Sequence, residues 1–219
     1  MAGEMLLHLR NQFLVRRPDG RAVWQATETE RRLPAAQIAV LICDMWDQHW
    51  SRGAVLREEA MVPRMDAVIR TAREAGAIII HAPSETMAFY RDTPARLRAL
   101  AVPAVEPPAP LPHDDPPLPI DDSDGGSDTG ETTVHMPWTR QHAGLAIDEE
   151  RDYVTDDGRT VYSILHRHAI EQVVIMGVHT NMCVLHRSFG IKQMVRWGVP
   201  IALARDLTDT MYNPARPPY

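Results

Sequence analysis

Short apolar runs alternate with longer stretches of helical periodicity along most of this chain. The runs cover residues 38–43, 77–80, 172–176 and 199–204, and polar residues or glycines bound them. Continuous apolar runs of this length are typical of strands buried on both faces, as in a parallel sheet. The pattern therefore predicts a sheet that is covered on both sides by other elements.

Helical spacing fills the intervals between the apolar runs. Residues 58–75 repeat apolar side chains on one helical face, and Gly76 follows as a stop signal. Shorter helices are predicted over residues 93–101, 160–168 and 183–197. Strands that alternate with helices predict an α/β fold of three layers, α-β-α, with a mostly parallel, Rossmann-like sheet.

Two segments depart from this alternation. Residues 1–35 have a mixed pattern in which Asp19 and Gly20 separate apolar stretches, and this predicts a β-like arm with a hairpin turn. Residues 103–133 hold eight of the 18 prolines and eight acidic residues, but no Lys or Arg. Proline and repeated aspartate oppose helix and strand, so this segment is predicted to be a long surface loop inserted in a single domain of residues 1–219. A closing helix is expected beyond the last predicted strand, where the sequence stops.

Composition and charge narrow the class of protein. A net charge of −6 argues against a general nucleic-acid binder, which needs a basic footprint. No run approaches the roughly 18 apolar residues of a membrane span, and the first residues lack the pattern of a secretory signal. Two cysteines cannot form a disulfide framework, so a reducing, cytoplasmic location is expected.

Candidate chemistry lies where two of the predicted strands end, since ligands of open α/β sheets bind beyond the carboxyl ends of strands. Asp44 directly follows one buried run, and residues 177–183 lead from another run to Cys183 at a predicted helix start. A helix N-terminus stabilises a thiolate and offers N–H groups to an oxyanion, which makes Cys183 a candidate nucleophile. From the residues alone, Cys183 as a plain buried side chain and Asp44 as a turn cap stay open.

Two segments resemble the isochorismatase-like cysteine hydrolase family, which includes nicotinamidases and N-carbamoyl amide hydrolases. One is the apolar strand that ends in Asp44, within residues 40–46. The other, residues 174–184, is similar to the family signature Gly-x-x-Thr-x-x-Cys-Val. With the βαβ order between them, the resemblance covers residues 36–210. It implies an isochorismatase-type fold.

The resemblance also implies a reaction and its residues. It implies hydrolysis of a small amide or carbamoyl C–N bond through a covalent acyl-cysteine, with Cys183 as the nucleophile and Asp44 as the acid and base. It implies a cis peptide bond before His179, with the backbone N–H groups of His179 and Cys183 forming an oxyanion hole. The family's third residue is a lysine that lies well before the cysteine, and Arg140 stands there instead, while the single lysine, Lys192, follows Cys183. Arg140 is therefore expected to fix the Asp44 carboxylate, although an arginine cannot give up a proton.

Substrate and cofactor expectations follow from the same resemblance. Trp46, Trp138 and Thr180 are candidate substrate-binding residues, and the expected substrate is a small amide-type molecule. No cofactor and no metal are expected, because the Asp-x-His pair of nicotinamidase-type members is missing after the second strand. The acidic stretch 121–128 does not meet the EF-hand template either. Family members form dimers or tetramers, so a homo-oligomer is expected.

Two other functions stay open at this point. With Arg140 in place of the lysine and with a long acidic loop, the chain could be a binding or scaffold homologue without hydrolase activity. The same pocket could also cleave the enol ether of an isochorismate-like substrate. Such an anionic substrate needs basic side chains nearby, and Arg140 and Arg187 are the local candidates.

Overall fold

A computed structural model describes residues 3–216 of the chain. The strands are β1 (Glu4–Arg16), β2 (Ala22–Pro34), β3 (Ile38–Cys43), β4 (Ile78–Ala82), β5 (Tyr153–Val154), β6 (Gln172–Val178) and β7 (Ile201–Asp209). The helices are α1 (Arg52–Ala75), α2 (Met87–Tyr90), α3 (Pro94–Leu100), α4 (Gly158–Arg167) and α5 (Ile191–Arg196). A 3-10 turn (Ala35–Gln37) precedes β3, and a π-helical turn (Thr180–Val184) follows β6.

The central sheet has five parallel strands in the order β5-β4-β3-β6-β7. The middle strand, β3, is buried along its whole length. Its alternate residues point to opposite faces, so Leu41 belongs to one apolar cluster and Ile42 to the other. The predicted α/β fold with a parallel sheet covered on both faces is confirmed.

Helices cover the two faces unequally. On one face, the long helix α1 packs through Met65 and Ile69 against β3 and β4. On the other face, α4 and α5 pack through Ile164 and Met194, with Phe189 fully buried between them. Both faces of the sheet are therefore covered by apolar side chains. The polar residues that follow β3, β4 and β6 lie together at the carboxyl edge of the sheet.

Helix α1 begins earlier than its apolar periodicity indicates. The predicted start is residue 58, whereas the helix starts at Arg52 with Ser51 as its N-cap. The Ser51 hydroxyl accepts a hydrogen bond from the N–H of Ala54, which satisfies a donor that helix geometry leaves unpaired. The predicted end is right, since Gly76 caps the helix at φ 103°.

The helix predicted over residues 183–197 is interrupted. The π-helical turn ends at Val184, and α5 begins only at Ile191. Between them the chain folds back so closely that a Cβ atom on Gly190 would lie 2.9 Å from the carbonyl oxygen of Val184. Only glycine fits this approach, and the break leaves Arg187 at the end of a short helical turn that follows Cys183.

Two segments lie outside the sheet. Strands β1 and β2 form an antiparallel hairpin whose turn contains Gly20 at φ 83°. Residues 103–133 run without a helix or strand and cross the carboxyl edge of the sheet, where Asp122 accepts a hydrogen bond from Asn181. None of the helices described between residues 3 and 216 is both long and apolar enough to cross a membrane.

Candidate active site

Asp44 stands at the point where β3 ends, with a fully buried side chain. Its backbone has φ 48°, a conformation that side-chain-bearing residues seldom adopt and that is often found at functional sites. Its Oδ1 accepts a hydrogen bond of 2.8 Å from the backbone N–H of Ser84, which lies just beyond β4. The carboxylate is therefore fixed in place by the neighbouring strand.

Cys183 lies beside this carboxylate. It belongs to the π-helical turn after β6 and is half-buried, and it lies close enough to Asp44 for the charge of that carboxylate to raise its pKa. A cavity of about 510 Å³ opens next to it. The cavity is lined by Leu118, Asp122, Asn181, Met182, Cys183, His186 and Arg187. The sulfur, the carboxylate and an accessible space thus come together, as the sequence motifs imply.

The turn that carries Cys183 depends on Gly177. This residue has φ 115°, and a Cβ atom on it would lie only 2.0 Å from the carbonyl oxygen of Cys43. The following peptide bond, Val178–His179, is cis, as the family resemblance implies. The backbone of His179 lies close enough to the Cys183 sulfur to lower the pKa of this thiol.

The expectation of an ionised thiol is wrong for the resting structure. Burial raises the pKa of Cys183, and the charge of Asp44 raises it further, while Arg187 lowers it. Burial also raises the pKa of Asp44, which Arg187 and the hydrogen bond from Ser84 partly lower. Desolvation and a like charge outweigh the helix terminus, because Cys183 lies inside the turn and not at its first residue. In the resting structure Cys183 is therefore a thiol that lies beside the Asp44 side chain.

The cation on Asp44 is Arg187, not Arg140. The Nε atom of Arg187 lies 2.8 Å from Asp44 Oδ2. Arg140 instead places its Nε 3.9 Å from Asp47 Oδ2 and its guanidinium 5.4 Å from the Phe89 ring, with the side chain 47% exposed. Asp47 also accepts a hydrogen bond from the backbone N–H of Arg140, so both the backbone and the side chain of this residue are held at Asp47. The expectation that Arg140 contacts and fixes the Asp44 carboxylate is therefore wrong.

A second carboxylate also reaches Arg187. Glu85 Oε1 lies 3.4 Å from the Nη1 atom of Arg187, and Glu85 has φ 67°. The guanidinium carbon lies 5.9 Å from the centre of the Trp46 ring. Sequence reasoning named neither Glu85 nor the pairing of Arg187 with Asp44. The available signal was spacing, since Arg187 is four residues after Cys183 and shares its helical face.

The three residues expected to bind substrate lie near the site but not on the cavity wall. Trp46 stacks on Trp138 with ring centres 4.1 Å apart, and its Nε1 donates to the carbonyl oxygen of Ser84. The hydroxyl of Thr180 lies 2.6 Å from that of Thr208 and donates to the Asp209 carbonyl. Thr180 thus ties the turn to β7, and a substrate role for the tryptophans stays a prediction.

Buried polar side chains extend behind the turn. Burial lowers the pKa of His179 to about 3, and nearby His49 and Arg57 add to this effect. Burial raises the pKa of Glu58 to about 9, with a further contribution from the charge of Asp44. Both side chains are therefore neutral near pH 7. Within residues 3–216, no group of three or more His, Cys, Asp or Glu side chains is arranged to hold a metal ion.

Comparison of the whole chain with known proteins finds similarity to solved structures. No model of a protein family matches the chain, and curated proteins give no match. Its structural neighbours include isochorismatase-family proteins. One, from Desulfovibrio vulgaris subsp. vulgaris str. Hildenborough, is 13% identical with a TM-score of 0.45, over 80% of this chain and 82% of that one.

Two further solved structures are similar at the same level. A cysteine hydrolase from Pseudomonas syringae pv. phaseolicola is 15% identical with a TM-score of 0.45, over 85% of this chain and 79% of that one. An isochorismatase family protein from Burkholderia thailandensis is 15% identical with a TM-score of 0.41, over 79% of each chain.

Proposed function

We propose that this protein is a cysteine hydrolase that cleaves a small amide or carbamoyl C–N bond. The observation that carries the proposal is that the half-buried Cys183 and Arg187 line one accessible cavity, while the Nε of Arg187 lies 2.8 Å from the buried Asp44 carboxylate. A thiol and a carboxylate are thereby brought to the same place. A thiol next to a base is the arrangement that nucleophilic catalysis requires. The raised pKa of Asp44 makes it a better proton acceptor than an ordinary aspartate.

The first half of the reaction forms an acyl-enzyme. Asp44 takes the thiol proton as the Cys183 sulfur attacks the carbonyl carbon of the substrate. The backbone N–H groups of His179 and Cys183 stabilise the negative charge on the carbonyl oxygen. The C–N bond then breaks, and Asp44 gives its proton to the leaving nitrogen, which departs as a neutral amine or ammonia. Cys183 is left as a thioester.

The second half returns the enzyme to its starting state. Asp44, again a carboxylate, takes a proton from water, and the hydroxide attacks the thioester carbon. The C–S bond breaks, and the sulfur recovers the proton from Asp44. The products are the amine and a carboxylic acid, or carbamic acid from a carbamoyl substrate. A resting thiolate is not needed, because the proton moves as the sulfur attacks.

The test is turnover of a panel of small amides, carbamoyl compounds and nicotinamide by the wild type, Cys183→Ala and Cys43→Ala. Cys43 is fully buried in β3 and makes a matched control, since its loss removes a thiol of the same chain outside the cavity. We expect Cys183→Ala to abolish turnover and Cys43→Ala to retain it. Mass spectrometry of the wild type during turnover should show an acyl adduct on Cys183.

The same measurements distinguish the proposed hydrolase from a binding or scaffold protein. Burial raises the pKa of Cys183, so a binding protein with this structure would keep its thiol unreacted in the presence of the amides. A wild type that turns over none of the amides and forms no acyl adduct on Cys183 would favour a binding protein. Turnover that survives Cys183→Ala would remove the cysteine mechanism.

A further inference from the structure

A buried carboxylate needs a partner, and the structure gives Asp44 only one full positive charge among the residues it describes. Its side chain is completely buried, and the Nε of Arg187 contacts its Oδ2 at 2.8 Å. The other contacts described for the carboxylate, from Ser84 and Cys183, carry no formal charge. Removing one partner of a buried ion pair leaves an uncompensated charge, which is strongly unfavourable. The ionised state of Asp44 therefore depends on Arg187.

Arg187 is held in one orientation from several sides. Its backbone N–H donates to the carbonyl oxygen of Cys183 at 2.9 Å, so the arginine is placed by the same turn that places the nucleophile. Its Nη1 faces Glu85 while its Nε faces Asp44, and the guanidinium lies over the Trp46 ring. Contacts from different nitrogens to two carboxylates require the planar fork of arginine, which a lysine cannot reproduce.

We propose that Arg187 is the positioning residue of this site, and that Glu85 fixes its orientation. This inference rests on the proposed hydrolase function and deepens it. Arg187 keeps Asp44 ionised and aimed at the Cys183 sulfur, so that the carboxylate is ready to accept the thiol proton. Because an arginine stays protonated, it takes part in no proton transfer, and Asp44 alone carries the proton from sulfur to leaving nitrogen. Arg140 has no part in this arrangement.

The experiment measures alkylation of Cys183 by iodoacetamide against pH, followed by mass spectrometry of the Cys183 peptide. The variants are Arg187→Gln, Arg187→Lys and, as the matched control, Arg140→Gln. Loss of the Arg187 charge raises the pKa of both Asp44 and Cys183, since Arg187 lowers each of them. We expect Arg187→Gln to move the profile upward by about one pH unit, which lowers the rate near neutral pH about tenfold.

The other variants test whether the effect comes from the charge of Arg187, from the shape of its guanidinium, or from any nearby arginine. Arg187→Lys keeps the charge but loses the fork that contacts both Asp44 and Glu85, so it should recover only part of the rate. Arg140→Gln should behave as the wild type. A double-mutant cycle with Asp44→Asn tests whether Arg187 acts through Asp44, and we expect the effect of Arg187→Gln to shrink at least about twofold in that background. A wild-type profile for Arg187→Gln, or the predicted shift appearing in Arg140→Gln instead, would overturn the proposal.

Failure of a variant to fold and failure of the hydrolase function give different results from failure of the Arg187 proposal. If Arg187→Gln does not fold, recovery of folding in the double variant with Asp44→Asn shows that the unpaired carboxylate is the defect, whereas no recovery removes the proposal. If Cys183→Ala retains turnover, the hydrolase function fails whatever the alkylation profile shows. If Cys183 is essential and Arg187→Gln has the wild-type profile, only the role of Arg187 fails.

Discussion

At the scale of single residues, the proposed reaction depends on the transfer of a proton from Cys183 to Asp44. Burial raises the pKa of both groups, and Arg187 lowers both. The positive charge thus favours the carboxylate without making the sulfur a permanent anion. This arrangement suits a nucleophile that is activated only when a substrate carbonyl arrives, and it limits reaction with other electrophiles.

A pH dependence follows from the raised pKa of Asp44. The reaction needs Asp44 without its proton, so the rate should fall as the pH drops through the pKa of this group. Because burial raises that pKa, the fall should begin above the ordinary aspartate value of about 3.9. The measurement is kcat/KM against pH for the substrate found in the amide panel. A rate that stays level down to the ordinary aspartate range would contradict the assignment of Asp44 as the base.

Sequence reasoning singled out Cys183 and Asp44 as candidates, because each follows an apolar run that forms a strand, and their catalytic roles stay predictions. It did not identify the right arginine. Arg140 occupies the family lysine's place along the chain, but its side chain is drawn to Asp47, a contact that no local pattern reveals. The thiol pKa was missed for a similar reason, since burial is a property of the packed chain and not of the motif.

At the scale of elements, the close contact between β6 and β3 governs the turn that carries Cys183. Gly177 has φ 115°, and a Cβ atom added to it would lie 2.0 Å from the carbonyl oxygen of Cys43, so Gly177→Ala should push the two strands apart. We expect it to lower the free energy of unfolding by more than about 2 kcal/mol, measured by urea denaturation.

Gly130→Ala is the matched control for this substitution. Gly130 also has a left-handed backbone, at φ 88°, but a Cβ atom there would meet nothing within 4 Å. Its cost should be limited to backbone strain, about 1 kcal/mol. Equal losses in the two variants would show that the approach of β6 to β3 contributes nothing to stability.

A second prediction at this scale concerns the buried ion pair between α1 and the segment before β5. Arg73 contacts both carboxylate oxygens of Asp152, at 2.9 and 2.6 Å, and His81 on β4 contacts the same group. Asp152→Asn leaves the Arg73 charge buried without its partner, so we expect a loss of about 3–5 kcal/mol in urea denaturation.

The pH dependence of that loss has a definite sign. Burial alone would raise the pKa of Asp152, but contacts with His81 and Arg73 lower it. The carboxylate thus stabilises the fold above its unfolded pKa of about 3.9, and this contribution is lost as the pH falls through the lower, folded value. Asp206→Asn is the control, because its pair with Arg64 is more than half exposed. A loss of similar size there would refute the special role of the buried pair.

At the scale of the whole molecule, the acidic segment of residues 103–133 forms ion pairs with basic residues of the rest of the chain. Asp128 contacts Arg57 at 2.6 Å, Asp121 contacts Arg216 at 2.8 Å, and Asp115 contacts Lys192 at 2.5 Å. These groups are partly exposed, so dissolved salt screens them. The negative charge of this segment is therefore largely compensated within the same chain.

Salt should loosen this segment before it affects the sheet. Between about 0.05 M and 1 M NaCl, the screening length falls to roughly 3 Å, which is comparable to the separations in these ion pairs and weakens their attraction. We expect faster amide hydrogen exchange in residues 103–133 at high salt, with the amides of β3 as the internal reference. Exchange that is unchanged by salt would show that the ion pairs do not hold the segment.

The architecture of the molecule was more predictable than its details. Four apolar runs marked β3, β4, β6 and β7, since strands buried on both faces carry a strong local signal. Strand β5 has only two residues, Tyr153 and Val154, and exists because β4 offers a free edge to pair with. The break before α5 was missed because Gly190 is required by a contact along the folded chain, which periodicity does not register.

The cavity wall has two origins, since Leu118 and Asp122 reach it from the acidic segment while Cys183 and Arg187 come from the turn after β6. If the proposed function holds, a change in the acidic segment would alter part of the wall that a substrate meets and would leave the residues proposed for the reaction in place.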